Sequence, residues 1–186
     1  RLPGCCGVKI FMGSSTGQLL VAEDGDLENV LQHIHRRCAV HSEDETRLRE
    51  RKALLEEHRG DASFHPEWRD EQTAIHSTQR LLRLARKLQK KVHVLHLTTA
   101  EELEILKKNK DLITMEVTPQ HLTLSAPDCY NQLGTLAQMN PPIRDRRHQE
   151  ALWKAVTDRT IDVIGSDHAP HTLKEKSAGY PDTPAG

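Results

Sequence analysis

Short apolar runs alternate with longer amphipathic segments along this chain, and that order limits the fold more than any other feature. Five runs rich in aliphatic residues predict strands, at 8–12, 38–41, 92–97, 112–117 and 161–165. Helical spacing predicts helices between them, at 26–37, after Ser42, after Pro66, after Thr99 and at 147–157. Strands that alternate with helices pair in parallel through right-handed crossovers. The sequence therefore predicts an α/β fold with a parallel sheet.

Composition excludes several classes of partner. The 26 Lys and Arg residues nearly balance the 27 Asp and Glu residues, so no broad basic face is available for nucleic acid or an anionic membrane. No run approaches the roughly 20 apolar residues of a membrane span, and the first residues lack the order of a signal peptide. The four cysteines show no CxxC spacing, which is typical of reduced thiols. We expect a small-molecule partner and a cytoplasmic location.

Residues that can bind a metal fall where the predicted strands end. Lys9 lies in the first strand, His41 closes the second, His96 lies near the end of the third, and Asp167 follows the fifth. The carboxyl ends of the strands of a parallel barrel converge on one site. Two histidines and an acid are a reasonable ligand set for zinc, although cobalt or manganese fits as well. A plain lysine ammonium repels a metal, so Lys9 fits only if it is chemically changed.

Six segments carry a resemblance to a known family: 8–17, 39–45, 92–103, 116–125, 139–145 (MNPPIRD) and 163–172 (VIGSDHAPHT). In this order they resemble the dihydroorotases of the amidohydrolase superfamily. The resemblance implies a partial (β/α)8 TIM-type barrel, in which Lys9 lies on the fourth strand and Asp167 follows the eighth. A complete barrel needs about 250 residues. We therefore expect residues 1–186 to be a single, incomplete metal-dependent hydrolase barrel domain with strands four to eight.

The resemblance also implies a metal site. Lys9 would be carboxylated and would bridge two zinc ions. His41 and His96 would bind the second ion. Asp167 would bind the first ion and act as the base that transfers the proton.

The implied reaction is the reversible, zinc-dependent cyclisation of N-carbamoyl-L-aspartate to L-dihydroorotate in de novo pyrimidine biosynthesis. His171, four residues after Asp167, matches a residue that holds the substrate carboxylate. Asn140 matches a residue that contacts the pyrimidine ring. The expectation is thus an enzyme that hydrolyses a cyclic amide.

One departure from the family pattern limits this expectation. The family has a His-x-His pair on its first strand, and no such pair precedes Lys9. His33 and His35 have the right spacing but fall within a predicted helix, where residues two apart do not share a face. We therefore expect the 186 residues alone to be inactive. Unpaired strand edges of a partial barrel also predict a homo-oligomer, most simply a dimer.

Two other functions remain open. One is another cyclic-amide hydrolase, such as an allantoinase or hydantoinase, although MNPPIRD and His171 favour dihydroorotase. The other is a non-catalytic dihydroorotase-like subunit that supports aspartate transcarbamoylase. Such proteins commonly lose metal ligands, whereas Lys9, His41, His96 and Asp167 are all retained here.

The remaining histidines receive weaker predictions. His93 is three residues from His96, so we expect it to face the helices rather than the site. His168 is expected to pack beside the site or to support it, and His121 to lie near it without an assigned role. Surface positions are predicted for the other four, His58, His65, His76 and His148.

Overall fold

The computed structural model describes residues 4–15 and 19–186, so residues 16 and 17 of the segment 8–17 lie outside the described part. The five predicted strands form one sheet in the order of the sequence, and each pairs in parallel with the next. Their bounds are Val8–Phe11 (β1), Cys38–His41 (β2), Val92–Val94 (β3), Ile113–Val117 (β4) and Val163–Ile164 (β5). A sequential parallel order is that of consecutive barrel strands, which agrees with the predicted partial barrel.

Helices fill the connections between the strands. In chain order they are α1 (Asp24–His33), α2 (Glu45–Glu50), α3 (Ala53–Glu57), α4 (His65–Trp68), α5 (Glu71–Leu88), α6 (Ala100–Leu106), α7 (Pro119–Thr123), α8 (Asp128–Leu133), α9 (Arg146–Thr157) and α10 (Leu173–Lys176). Short 3₁₀ turns cover Ala62–Phe64, Lys107–Asn109 and Gly134–Ala137. Thr99 caps α6 through a capping box with Glu102, as its position before that helix predicted. Among the described residues, no helix has the length and apolarity needed to cross a membrane.

The sheet has an apolar face and a polar face. Ile10, Val40, Val94 and Met115 are aligned across β1 to β4, and all are almost fully buried in the core that the sheet forms with the helices. Strand alternation turns their neighbours Lys9, Ala39, His93 and Thr114 toward the opposite side, here called the inner face. The helices therefore cover one side, and the inner face is left for polar groups.

The prediction for His93 is wrong. Its ring lies on the inner face, where Nδ1 is 2.8 Å from Thr114 Oγ1 and Nε2 is 3.2 Å from Glu116 Oε2. Strand β3 ends at Val94, and His96 has a positive φ of 37°. Because the backbone leaves the extended conformation, the alternation that separates residue 93 from residue 96 does not hold.

Two of the four surface predictions are also wrong. His65 and His148 are buried because tertiary contacts enclose their rings, whereas His76 is exposed as expected and His58 is half-buried. The burial of these two rings could not be predicted, because both histidines lie in sequence segments that contain many polar residues.

The helix argument for the His33 and His35 pair needs correction. Helix α1 ends at His33, so His35 lies in the following extended segment. Both side chains are exposed and precede β2, away from the end of that strand at which His41 lies. Their position before β2, rather than helix geometry, therefore keeps them outside the candidate site.

A second apolar cluster supports the loops beyond the carboxyl ends of the strands. Its buried members come from α3, from the 3₁₀ turn after it, from residues 129–143 and from residue 180, and include Ala62, Tyr130, Met139, Ile143 and Tyr180. These loops had no predicted helices, yet they contain α7, α8 and α10. The cluster fixes the walls of the cavity described next.

Candidate functional site

A pair of buried histidines lies at the ends of β2 and β3. His41 Nδ1 is 3.0 Å from His96 Nε2, and the two rings meet edge to face. Each residue is only 1% exposed. Two ring nitrogens at this distance share one proton or one cation.

A buried ion pair orients the first of these rings. His41 Nε2 lies 2.8 Å from Glu43 Oε2, and the same oxygen accepts from Arg69 Nη2 at 2.6 Å. Burial alone would raise the pKa of Glu43, but the Arg69 charge and the hydrogen bond from His41 outweigh it and hold the pKa far below its usual range. The ionised carboxylate keeps a proton on Nε2 of His41. The other ring nitrogen, Nδ1, faces His96 and is left with a lone pair.

The His96 ring is held neutral. Burial lowers its pKa well below the ordinary value, and the neighbouring His41 and Lys9 side chains lower it further. Its Nδ1 is buried and has no hydrogen-bond partner in the described part of the chain. A neutral imidazole is the form that binds metals.

Asp167 approaches this pair from the segment after β5. Its Oδ2 lies 4.0 Å from His96 Nε2, and about a third of its side chain (34%) is exposed. Its φ is +43°, a left-handed conformation that few residues other than glycine adopt. The structure therefore brings together three of the four residues predicted to bind metal.

Lys9 is less closely held. Its Nζ lies 4.8 Å from the centroid of the Phe11 ring, and that ring is 5.8 Å from the His41 ring. Lys9 is exposed, because β1 is an outer strand of the sheet: it pairs with β2 on one side, and its other contact of this kind among the described residues is the isolated bridge from Phe11 to Leu20. An unmodified ammonium adds no ligand here.

The donor set fits a divalent metal. Two nitrogens bound to one tetrahedral zinc at about 2.0–2.1 Å lie about 3.3 Å apart. The observed separation of 3.0 Å between His41 and His96 requires only a small adjustment. A carboxylate orienting a ligand histidine, as Glu43 does for His41, is the usual outer partner in such sites. His41, His96 and Asp167 therefore fit the metal that the resemblance implies.

A cavity of about 370 Å³ opens beside Asp167. Its walls also include Asn140, His168 and His171, so both residues predicted to bind substrate line the same space as the predicted base. Lys176 closes one side, where its ammonium donates to the carbonyls of Gln138 and Pro184 at 3.1 and 3.0 Å. The cavity is large enough for a small cyclic substrate.

Several residues of this region were missed by sequence reasoning. Glu43 could have been found, because it lies two residues after His41 and shares its direction on an extended chain. Arg69 and His65 gave no signal, since loop geometry brings them to the site. His121 is buried, and its ring lies between Thr118 Oγ1 at 2.8 Å and the Pro141 carbonyl at 3.0 Å.

A second cluster resembles a metal site but lacks the right lone pair. Within the described ranges, ligand atoms of Glu71, Asp145 and His148 lie within 4.8 Å of one another. However, His148 Nδ1 accepts from the Ala100 N–H at 3.0 Å, so a neutral ring carries its proton on Nε2, which lies 3.0 Å from Glu71 Oε1. No nitrogen lone pair is left for a metal. The cluster ties α5, α6 and α9 together.

Relatives of the chain are found by sequence. No family model matches it. A dihydroorotase of Methanosarcina mazei is 37% identical over 192 aligned positions, which cover 96% of this chain and 41% of that protein. A dihydroorotase of Thermococcus kodakarensis is 35% identical and covers 92% of this chain and 37% of that protein. The chain thus spans about two fifths of the length of the curated relatives it matches.

Solved structures with the same fold include hydantoinases. An L-hydantoinase of Arthrobacter aurescens superposes with a TM-score of 0.90 at 24% identity, over 98% of this chain and 43% of that chain. A D-hydantoinase superposes with a TM-score of 0.86 at 25% identity, over 98% and 42%. These likenesses confirm the partial-barrel fold. Over nearly its whole length, the chain is a homologue of the dihydroorotases, and it matches about two fifths of their length.

Proposed function

We propose that the protein carrying this chain is a dihydroorotase, which interconverts N-carbamoyl-L-aspartate and L-dihydroorotate in de novo pyrimidine biosynthesis. One observation carries the proposal: the His41–His96 pair and Asp167 meet beside the cavity that Asn140 and His171 line. Metal-binding and substrate-binding candidates thus adjoin one another. The names of the sequence relatives support the choice of substrate.

We propose zinc as the metal, with two ions in the complete site. His41, His96 and Asp167 would hold it, and Lys9 would join them after carboxylation of its amine. Bound zinc would polarise the amide carbonyl and lower the pKa of a water molecule. Carboxylation would change Lys9 from a cation into an anion of carboxylate-like reach, which removes its repulsion of the metal.

The residues of the chain itself would handle the proton. In the ring-opening direction, water adds to the ring carbonyl carbon and the carbon–nitrogen bond breaks. Asp167 accepts a proton from that water and returns it to the departing nitrogen. Its partly exposed carboxylate, 4.0 Å from His96, is placed at the boundary between the histidine pair and the cavity.

The other cavity residues would orient the substrate. His171 would bind the carboxylate of dihydroorotate, and Asn140 would contact the ring. This carboxylate distinguishes dihydroorotate from hydantoin and allantoin. The solved structures include hydantoinases, which makes hydantoin hydrolysis the competing activity to test.

The experiment is a substrate panel on zinc-loaded protein. The native-length protein is assayed for ring opening of L-dihydroorotate, hydantoin and allantoin, with zinc measured per chain by elemental analysis. We expect two zinc ions and turnover of dihydroorotate only. Turnover of hydantoin instead would overturn the substrate assignment, and bound aspartate transcarbamoylase without any turnover would indicate the non-catalytic subunit.

A chimaera tests the contribution of these residues. The 186 residues replace the matching segment of the Methanosarcina mazei dihydroorotase, to which they are 37% identical. We expect the chimaera to be active and the 186 residues alone to be inactive, since a His-x-His pair does not precede Lys9. An inactive chimaera that is folded and binds zinc would contradict the proposal.

We further propose a cytoplasmic homodimer. All four cysteines are free, which supports a reducing compartment. In the described residues β1 and β5 are the outer strands, and Val8, Val163 and Ile164 on them are exposed. In the 186-residue chain, where these strand edges are exposed, light scattering after size exclusion checks the oligomeric state, and a monomer would contradict the proposal.

A further inference from the structure

His65 makes two hydrogen-bond contacts through a single ring nitrogen. Its Nε2 lies 3.0 Å from the carbonyl oxygen of Met139 and 3.0 Å from Oδ1 of Asn140. A backbone carbonyl can only accept a hydrogen bond, so Nε2 must carry the ring proton. The ring is 1% exposed, and His65 is not among the residues that line the cavity.

The proton on Nε2 fixes which atom of the Asn140 amide faces the ring. Only the oxygen can accept from Nε2, since a rotated amide would place its NH₂ group against an N–H. Burial lowers the pKa of His65 to about 3, which leaves one proton on the ring. Its Nδ1 is buried and has no partner in the described ranges, so a proton there would be an unsatisfied donor. The contacts at Nε2 and the unpartnered Nδ1 therefore place this single proton on Nε2.

The opposite end of the amide is free to meet a ligand. Asn140 lines the cavity together with Asp167 and His171. With Oδ1 turned to His65, the Nδ2 group has no hydrogen-bond acceptor among residues 4–15 and 19–186. The amide therefore presents a donor rather than an acceptor.

We propose that His65 is a positioning residue that holds the Asn140 amide with its NH₂ group available to the cavity. The site then selects ligands that place a carbonyl or carboxylate oxygen at Asn140, and it rejects ligands that place an N–H there. A rejected ligand would leave two donors facing each other. The inference rests on the proposed function for the identity of the ligand, a cyclic amide whose ring carbonyl accepts from Asn140.

The test compares two histidine variants in the native-length protein. His65→Phe keeps a buried ring and removes the donor, whereas His58→Phe changes a half-buried histidine that stacks on Phe64. We expect His65→Phe to raise KM for L-dihydroorotate about tenfold, the upper end for one neutral hydrogen bond, with kcat changed less than about twofold. His58→Phe should leave both constants unchanged.

Two further variants separate positioning from a general structural role. In an Asn140→Ala background, His65→Phe should have no further effect on KM, because there is no amide to orient. His65→Gln, whose NH₂ can reach the same carbonyl, should recover most of the lost affinity. An equal rise in KM with and without Asn140 would overturn the inference, as would a fall in kcat alone.

A spectroscopic measurement is independent of the substrate. Nitrogen-15 NMR of the histidine-labelled protein, with the His65 signals identified by their loss in His65→Phe, reports which ring nitrogen carries the proton. We expect the proton on Nε2, and a proton on Nδ1 would overturn the inference whatever the substrate. If the tautomer is as expected but dihydroorotate is not turned over, the proposed function fails and the positioning role stands.

Discussion

The buried histidine region and the open cavity region are held in different ways. In the first, the side chains of His41, Glu43 and Arg69 are almost fully buried and are fixed by hydrogen bonds to one another. In the second, Asp167 and His168 lie on an exposed segment beside the cavity. The first region is therefore pre-organised without a ligand, whereas the second depends on one to complete its contacts.

The largest expected effect is on proton transfer at the boundary of the two regions. Asp167→Asn keeps the shape of the side chain and removes the proposed base, so kcat for the proposed ring opening of dihydroorotate should fall by about 10²–10⁴-fold. Steady-state kinetics measure this, with Glu150→Gln on the exposed face of α9 as the matched control. Retention of more than a tenth of wild-type kcat would remove Asp167 from the role of base.

The next effect is acid sensitivity of the buried rings. Burial lowers the pKa of His65 to about 3 and that of His121 to about 4, against about 6.5 in an unfolded chain. Between pH 6.5 and 4 the unfolded state binds more protons, so the free energy of unfolding falls as the pH is lowered. The His121 contribution reaches about 3 kcal/mol by pH 4.

Urea unfolding at pH 7.5, 5.5 and 4.5 checks this slope. His121→Asn should flatten the pH dependence, whereas exposed His76→Gln should leave it unchanged. If the free energy of unfolding depends on pH equally in the wild type and both variants, His121 does not titrate with unfolding. The buried histidine region would then differ less from the open cavity region than its hydrogen bonds indicate.

A smaller effect is expected from the partner of His41. Glu43→Gln removes the charge that fixes the His41 tautomer and leaves buried Arg69 without its counter-ion. Zinc affinity should fall about 10–100-fold, as measured by competition with a chromogenic chelator. Exposed Glu57→Gln is the control. Unchanged affinity in a folded Glu43→Gln protein would contradict the pre-organisation of this region.

The smallest effect is expected in the open region. His171→Gln should raise KM for dihydroorotate severalfold, by about 1 kcal/mol of binding free energy, and should leave the melting temperature unchanged, because few contacts hold the side chain. His168→Gln, which lines the same cavity, should change KM less. A lower melting temperature in His171→Gln would show that the His171 side chain stabilises the fold, so the open cavity region would be more rigidly held than proposed above.

Periodicity predicted the sheet well because buried parallel strands leave a strong apolar signal. Strand β2 was predicted with its observed bounds, and α9 within one residue at its start. The charge-rich stretch after Ser42 was predicted as one helix, but the structure divides it into α2 and α3. Residues 124–145 gave no periodic pattern, since their short helices are set by tertiary packing on the second apolar cluster.

Sequence reasoning predicted those site residues whose positions follow from the order of the strands alone. His41, His96 and Asp167 follow strands that neighbour one another or share one end of the sheet, so their convergence follows from topology. The contact between His65 and Asn140 joins residues 75 positions apart through two loops. No pattern in the sequence encodes such a contact.

The backbone at His96 and Asp167 has a consequence for protein engineering. Both residues adopt positive φ, at 37° and 43°, a conformation in which glycine is less strained by about 1 kcal/mol or more. Selection for heat resistance alone would therefore favour replacement of these two side chains. Libraries screened by melting temperature should accumulate substitutions at positions 96 and 167 that turnover assays reject, so a thermostabilising campaign would begin by holding both positions constant.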